Sequence, residues 1–468
     1  MPTLKSASLL ASLALALTST STLASPSNTQ WRASTDWVLE QHLGNLSPYF
    51  DAPVAKGLSK GLPQGCEVEQ VSLVQRHGSR NPISQEIGTI ANLSYYINNN
   101  TQLFSNPKWG AWSLPEEFLF LYQDGGWNNT FVTDDLSATG RRELFSHGVD
   151  FRLEYPSLNT TRFVAGGQDR VVESAQWFAA GYLGRHYNST ADLEVIPETE
   201  GVVSYITPMD TCTEWKYSSG NDLVTAWDSV YLPRISKRIN RLLRPHYPGV
   251  NFTESNVHGM LWACAYDIAV KGPGSSKWCP VFRRHEIEDF EYELDLLMRG
   301  AFGYGLPKGQ GPLLGSLYVG NLTERLDDSK TKDDPSQSVY LDFAHDTTID
   351  LILTTLGLAK DDEYPSQGPV DPARKWRTSY QVPFAARMEF LKLSCSSEGG
   401  KKEEEEKRIQ LLLNKAPVDL SELCGTSFEP HGTCPLNRFL NSKPVLEANK
   451  VVQGDPRWVS ACGAGNGL

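Results

Sequence analysis

Three short stretches of this chain carry side chains suited to handling a phosphate. The first is Arg76-His77-Gly78-Ser79-Arg80-Asn81-Pro82, the second runs through Gly166-Gly167-Gln168-Asp169 to Arg170, and the third is His345-Asp346. Phosphoryl transfer needs a nucleophile in line with phosphorus, fixed positive donors over the equatorial oxygens, and an acid for the departing alkoxide. A neutral imidazole can attack and form a phosphohistidine, which makes His77 the candidate nucleophile. Its flanking arginines disfavour protonation and keep it nucleophilic in mild acid. Arg76, Arg80 and Arg170 offer forked donors that match phosphate geometry, and His345 can add one more. Asp346 is the candidate proton donor, later the base for water. It must be protonated when attack begins, so an acidic working pH is expected. The arginines take the electrostatic role of a metal, so neither a metal nor another cofactor is expected.

Each stretch needs an element that aims it. Val71 to Gln75 is an apolar run that ends at the Arg-His-Gly turn. Asn81 can then cap a helix with Pro82 at its first position, and Ile83, Ile87 and Ile90 repeat at helical spacing. Thr161 to Gly166 reads as a second strand turning into a helix capped by Asp169, with Val171, Ala175, Phe178 and Tyr182 on one face. Val339 to Ala344 reads as a third, before a helix marked by Ile349, Ile352, Leu353 and Leu356 and stopped by Gly357. Ligands of open α/β sheets bind beyond the carboxyl ends of the strands, and a helix N-terminus there favours an anion.

The expected fold is α/β: a doubly wound, mostly parallel sheet flanked by helices, with a smaller all-α domain inserted. Residues 25–65 read as an extended surface arm with a short helix near Trp37 to Leu43. Residues 66–209 form the first part of the α/β domain, and Leu136 to Glu154 reads as an amphipathic helix. In the insertion, 210–335, helical periodicity covers Leu223 to Leu243, Glu254 to Asp267, His285 to Met298 and Gly311 to Leu326. Thr331 to Gln337 reads as a linker back to the sheet. In 336–468, Gln381 to Cys395 alternates and reads as a half-exposed strand, and Arg408 to Leu413 as another. Lys401 to Lys407 reads as a solvated loop.

The chain's 468 residues carry a net charge of −12, which argues against nucleic acid or an anionic membrane as partner. Residues 1–24 read as a secretory signal: Lys5, a short apolar run from Leu9 to Leu17, and a small-residue cleavage site at Thr22-Leu23-Ala24. The expectation is a secreted chain. Eight scattered cysteines favour disulfides over metal binding, with 105 pairings open on spacing alone. Glycosylation sequons begin at Asn45, Asn92, Asn99, Asn128, Asn159, Asn188, Asn251 and Asn321.

The Arg76-to-Pro82 motif with the distant His345-Asp346 resembles the histidine acid phosphatases, in particular their secreted fungal acid phosphatase and phytase branch. The likeness extends through Gly167 to Tyr182, His285 to Gly315, Val339 to Leu358, Val382 to Cys395 and Arg408 to Leu440. It implies the phosphoglycerate-mutase-like fold, His77 as nucleophile, Arg76, Arg80, Arg170 and His345 as phosphate ligands, and Asp346 as proton donor. It also implies the disulfides Cys66–Cys395, Cys212–Cys462, Cys264–Cys279 and Cys424–Cys434. The implied substrate is a small phosphomonoester, with phytate as one candidate. Several positions depart from the phytase pattern: no cysteine precedes Cys66, Asn81 is not aromatic, Thr347 follows the His-Asp pair, and Ile83 to Pro107 contains no lysine or arginine while Glu86 is acidic. Lys237, Arg238, Arg283, Arg284 and Lys308 could compensate. The alternatives are a phosphoglycerate-mutase-like phosphotransferase and a catalytically silent binding protein. The sequence sets no oligomeric state.

Overall fold

A computed structural model describes residues 37–327, 337–361, 364–396, 406–452 and 454–463. The expected secretory signal, nearly all of the 331–337 linker and most of the 401–407 charge run lie outside these. Among the described residues eight strands make one sheet: β1 (Cys66–Arg76), β2 (Arg162–Gly166), β3 (Asp192–Ile196), β4 (Val339–Ala344), β5 (Arg387–Cys395), β6 (Glu406–Leu413), β7 (Ala416–Pro417) and β8 (Cys434–Pro435). Their order is β3-β2-β4-β1-β5-β6-β7, with β8 pairing β6. From β3 to β1 the strands run parallel, and β5 then reverses against β1. The carboxyl ends of β2, β4 and β1 therefore lie side by side. That adjacency is what gathers residues 76–80, 170 and 345–346.

Helices cover both faces. On one, α2 (Ala138–Glu154) and α3 (Asp169–Leu183) bring Leu144, Phe151, Phe178 and Tyr182 onto Val71, Leu73, Phe163 and Phe343. On the other, α7 (Gln310–Leu326) and α8 (Asp346–Leu356) bring Tyr318, Leu322, Ile349 and Ile352 onto Val74, Val164, Met388 and Phe390. Burial of each large apolar side chain stabilises the fold by about 1.5–3 kcal/mol. The helix after the first motif is α1 (Ser84–Asn99). Between β3 and β4 lie the long helices α4 (Asn221–Leu243), α5 (Glu254–Lys271) and α6 (Arg284–Phe302), followed by α7.

Several local expectations differ from the structure. α1 starts at Ser84, not at Asn81: Asn81 instead donates from Nδ2 to the Asp135 carbonyl, and the Glu86 carboxylate caps the Ile83 N–H at 2.8 Å. β5 is buried on both faces, because its polar side chains find partners inside: Glu389 accepts from Lys415 at 2.8 Å and from Tyr155 at 2.7 Å. Glu406 and Lys407, expected in a loop, belong to β6. The segment from about 100 to 135, whose Gly, Pro and Asn content reads as loops, contains short helices at Thr101–Phe104 and Leu119–Gln123. The expected helix near Trp37 to Leu43 is a single 3₁₀ turn, Leu39–Gln41. The supposed surface arm dives inward, and residues 42–48 are buried.

Four disulfides are present: Cys66–Cys395, which staples registered partners of β1 and β5, Cys212–Cys462, Cys264–Cys279 and Cys424–Cys434. Among the described residues no helix is long and apolar enough to cross a membrane. Asn92, Asn99, Asn128, Asn159, Asn188 and Asn251 are exposed, and Asn321 is half-buried within α7. Asn45 is a correction. It is 8% exposed and its Nδ2, the atom a glycan would occupy, donates to Asp346.

Candidate active site

His77 is fixed from both sides of the sheet. Its N–H donates to the Ala344 carbonyl at the end of β4, and its carbonyl accepts from Ala385 N ahead of β5, each at 3.0 Å. The next residue must be glycine. A Cβ on Gly78 would stand 2.6 Å from the Gly140 carbonyl oxygen, so α2 packs directly against the turn. The imidazole Nδ1 lies 2.9 Å from the Gly78 carbonyl, which can only accept, so Nδ1 carries the proton. Nε2 keeps its lone pair. Burial, then Arg170, Arg76, His345 and Arg80, hold this imidazole well below the usual histidine range. The ring is therefore held in its neutral form.

Three guanidinium groups surround it. Arg76, wholly buried, donates through Nη1 to the carbonyls of Asn45 and Val382, and its Nη2 lies 2.8 Å from Asp346 Oδ2. Arg80 Nη1 donates to the Asn81 carbonyl (2.9 Å), Glu86 Oε2 (3.0 Å) and Tyr266 Oη (3.0 Å). Arg170, in the first turn of α3, is held by Asp134 Oδ2 at 2.7 Å. Each contact ties one end of the fork. Arg76 Nε, Arg80 Nε and Arg170 Nε are buried with no hydrogen-bond acceptor among the described residues. Buried donors left unpaired are costly, about 1–3 kcal/mol each, and clusters of them mark a ligand position. Phe384 floors the group, with Arg76 Cζ 4.4 Å from its ring centroid.

His345 is the N-cap of α8, and its ring centroid is 5.5 Å from that of His77. Its Nε2 lies 2.9 and 3.1 Å from the Glu198 carboxylate oxygens, so Nε2 carries a proton there. Glu198 follows β3, a fourth strand end, and also accepts from Gln168 N at 3.2 Å. Asp346 Oδ1 accepts from Thr347 N at 2.9 Å, and Oδ2 from Asn45 Nδ2 at 3.0 Å. Burial alone would raise this carboxyl. Arg76, the Asn45 hydrogen bond, His345 and Arg80 outweigh it and hold Asp346 below the usual carboxylate range. The surroundings thus favour the aspartate anion over the protonated acid before a substrate brings its own charge.

A cavity of about 240 Å³ opens over these groups. Its outer wall is apolar: Met209, Trp215, Tyr217, Trp262, Met298 and Phe302. Glu86, Glu198 and Asp210 add carboxylates, and no lysine lines it. The basic residues expected to compensate are not in that lining, and Arg238 and Arg284 are paired with Glu286 and Glu288. A larger cavity, about 850 Å³, is lined by Cys66, Tyr155 and Arg387, among others, and holds none of the strand-end residues. The chemistry places the site in the smaller one. Asp228, His258 and Glu293 bring ligand atoms within 4.8 Å of one another, and His258 Nε2 is already engaged within the protein, 2.9 Å from Glu293 Oε1 and 2.7 Å from Trp262 Nε1.

All six residues read from the sequence meet here. The residues missed are Asn45, Glu198, Glu86, Asp134 and Tyr266. Glu198 carried a signal, since it follows β3 as Arg170 follows β2. Asn45 was hidden by its sequon.

Residues 67–414 match the family model described as histidine phosphatase superfamily (branch 2). A thiamine-repressible acid phosphatase of Schizosaccharomyces pombe is 30% identical over 447 residues, 92% of each chain. Phytase A of Arthroderma benhamiae is 28% identical, covering 87% of this chain and 90% of its own. The crystal structure of the phytase from D. castellii superposes with a TM-score of 0.75 at 24% identity, over 95% of this chain and 91% of that one, a likeness of fold. The site and these matches define a class, the histidine phosphatases. This chain belongs to branch 2 of that superfamily and is a phosphomonoesterase.

Proposed function

We propose that the chain hydrolyses simple phosphomonoesters in acid through a phosphohistidine on His77 Nε2. The observation that carries this reading is the set of buried, acceptorless guanidinium N–H groups around an imidazole with a free Nε2. Arg76, Arg80, Arg170 and His345 hold the three non-bridging oxygens. Because Asp346 is an anion before substrate arrives, the proton enters with the ester. Phosphate monoesters lose their second proton near pH 6, so in acid they bind as monoanions. That proton passes to Asp346. His77 Nε2 then bonds to phosphorus, the bridging P–O bond breaks, and Asp346 protonates the departing oxygen. Water next attacks the phosphohistidine and gives a proton to Asp346, and the P–N bond electrons return to His77. The expected kcat/KM falls as pH rises through the ester's own second ionisation, and falls at low pH as Asp346 takes up a proton.

The helical segment 210–335 acts, on this reading, as an inserted domain that supplies the leaving-group wall. Its aromatic, lysine-free surface with nearby carboxylates suits a neutral or apolar alcohol better than a polyanionic ring. Inositol phosphates enter as candidates through the phytase relative, and phytate is expected to be the poorer substrate. The four disulfides and the exposed sequons support a secreted enzyme. The test is phosphate release from p-nitrophenyl phosphate between about pH 3 and 6, with His77→Ala as control. Equal rates for the two proteins contradict the mechanism.

A further inference from the structure

Asn45 stands in a 3₁₀ turn, Gly44–Leu46, far in sequence from every strand end. Gly44 makes its position possible. Its φ is +57°, and a Cβ there would lie 2.6 Å from Leu294 Cβ, so the turn presses directly onto α6. Ser47 fixes the turn by accepting from Leu43 N at 3.1 Å and by offering its carbonyl to Phe384 N at 2.8 Å. The result is a residue held between the two charged groups of the site. The Asn45 carbonyl accepts from Arg76 Nη1 at 2.5 Å, and its carboxamide donates to Asp346 Oδ2 at 3.0 Å and to Met298 Sδ at 3.6 Å.

This arrangement distinguishes the two oxygens of Asp346. Oδ2 faces both Asn45 Nδ2 and Arg76 Nη2. Oδ1 accepts only the N–H of Thr347, which leaves one lone pair free. We infer that Asn45 is a positioning residue for proton transfer: it holds Oδ2 so that Oδ1 receives the proton and delivers it to the departing oxygen. The proposal rests on Asp346 being the proton donor. It gives Asn45 a role incompatible with a glycan, although the residue opens a perfect Asn-Leu-Ser sequon. The charged groups around Asp346 are Arg76 from β1, Arg80 from the turn after it, Arg170 from α3, His345 just before it and Asp350 one turn on. None of these is altered in the Asn45 variants below, of which Asn45→Asp adds a second carboxylate against Oδ2.

The test compares Asn45→Ala and Asn45→Asp with the parent enzyme on p-nitrophenyl phosphate and on an alkyl phosphate such as glycerol phosphate. The nitrophenolate leaves without help, whereas the alkoxide needs a proton. The alkyl ester should slow by roughly 10–100-fold in kcat and the aryl ester by less than about 3-fold. With its donor gone, Asp346 holds its proton to higher pH, so the acidic limb of kcat/KM moves upward. Asn45→Ser, which keeps a small donor, should restore part of the alkyl rate. Asn45→Asp preserves the shape and guards against misfolding of the alanine variant. Equal loss on both esters with an unmoved limb overturns the proposal, as does a glycan found on Asn45 in active enzyme by peptide mass. Asp346→Asn separates the two levels. If it discriminates between the esters and the Asn45 variants do not, only the role of Asn45 falls. If Asp346→Asn slows both equally, Asp346 is not the donor and the proposal falls with it.

Discussion

The two ends of the cavity are built from different material. The floor comes from the carboxyl ends of parallel strands and is polar throughout: Arg76, His77, Arg80, Arg170, His345 and Asp346. The outer wall comes from the helical segment and is mostly apolar, with Trp215, Tyr217, Trp262 and Phe302. The floor is rigid because backbone hydrogen bonds of three strands set it, as where His77 N meets the Ala344 carbonyl. The wall is side-chain packing on helices and on the turns around Trp215 and Tyr217, outside the sheet, and can change without disturbing it. On the proposed mechanism the difference assigns the reaction to the floor and the choice of alcohol to the wall.

The sharpest break of that division is on the floor. His77→Ala should lower kcat by roughly 10⁴-fold or more, whatever ester is used. Arg170→Ala removes one fork and should cost about 10²–10³-fold in kcat, the scale of a lost oxyanion donor. Arg170→Lys should recover little of it, because a point charge does not reproduce the fork. Steady-state rates with two esters check both, and a loss that depends on the alcohol would blur the boundary between floor and wall. On the wall, Tyr217→Lys should leave p-nitrophenyl phosphate hydrolysis within about 2-fold. It should raise the phytate-to-aryl ratio of kcat/KM about 5-fold, near 1 kcal/mol for one added charge in a solvated cavity. An unchanged ratio would deny the wall its role.

A second comparison lies within α8. Asp346 and Asp350 are one turn apart and both buried, yet Asp346 is held below the usual range and Asp350 is pushed well above it. Burial dominates at Asp350, and the Asp346 charge adds to it. Both its carboxylate oxygens lack a hydrogen-bond partner among the described residues. A folded-state value above the unfolded one means that folded protein binds more protons. Stability from this group is therefore complete below the unfolded value, near 3.9, and is lost as pH rises through the folded one. Asp350→Asn should raise Tm by about 2–4 °C at pH 7 and change it little at pH 3, as calorimetry at the two pH values would register.

Much of the floor was legible in the sequence, because apolar runs ending in Gly-rich turns before helical spacing mark strand ends. Periodicity could not say which strands are neighbours, so the convergence of Arg170 and His345 on His77 is a product of the sheet order. β5 misled for a physical reason: Glu389 and Lys392 read as exposed positions, but Lys415 in the β6–β7 turn and the Leu326 carbonyl at the end of α7 pair with them in the interior. The helix expected to begin at Asn81 fails because Glu86 takes the capping role while also binding Arg80. Asn45 was illegible because a three-residue sequon says nothing about burial. The wall escaped as well, since aromatic residues on helices read equally as core.

The central claim is a covalent bond between phosphorus and His77. Acid-quenched enzyme should not retain the label, because phosphohistidine is acid-labile, so the direct measurement uses an alkaline quench during turnover of a ³²P-labelled ester, followed by peptide mapping. The account predicts alkali-stable, acid-labile label on the peptide carrying His77, lost in His77→Ala. Label on another residue, or equal labelling of the alanine variant, would contradict it.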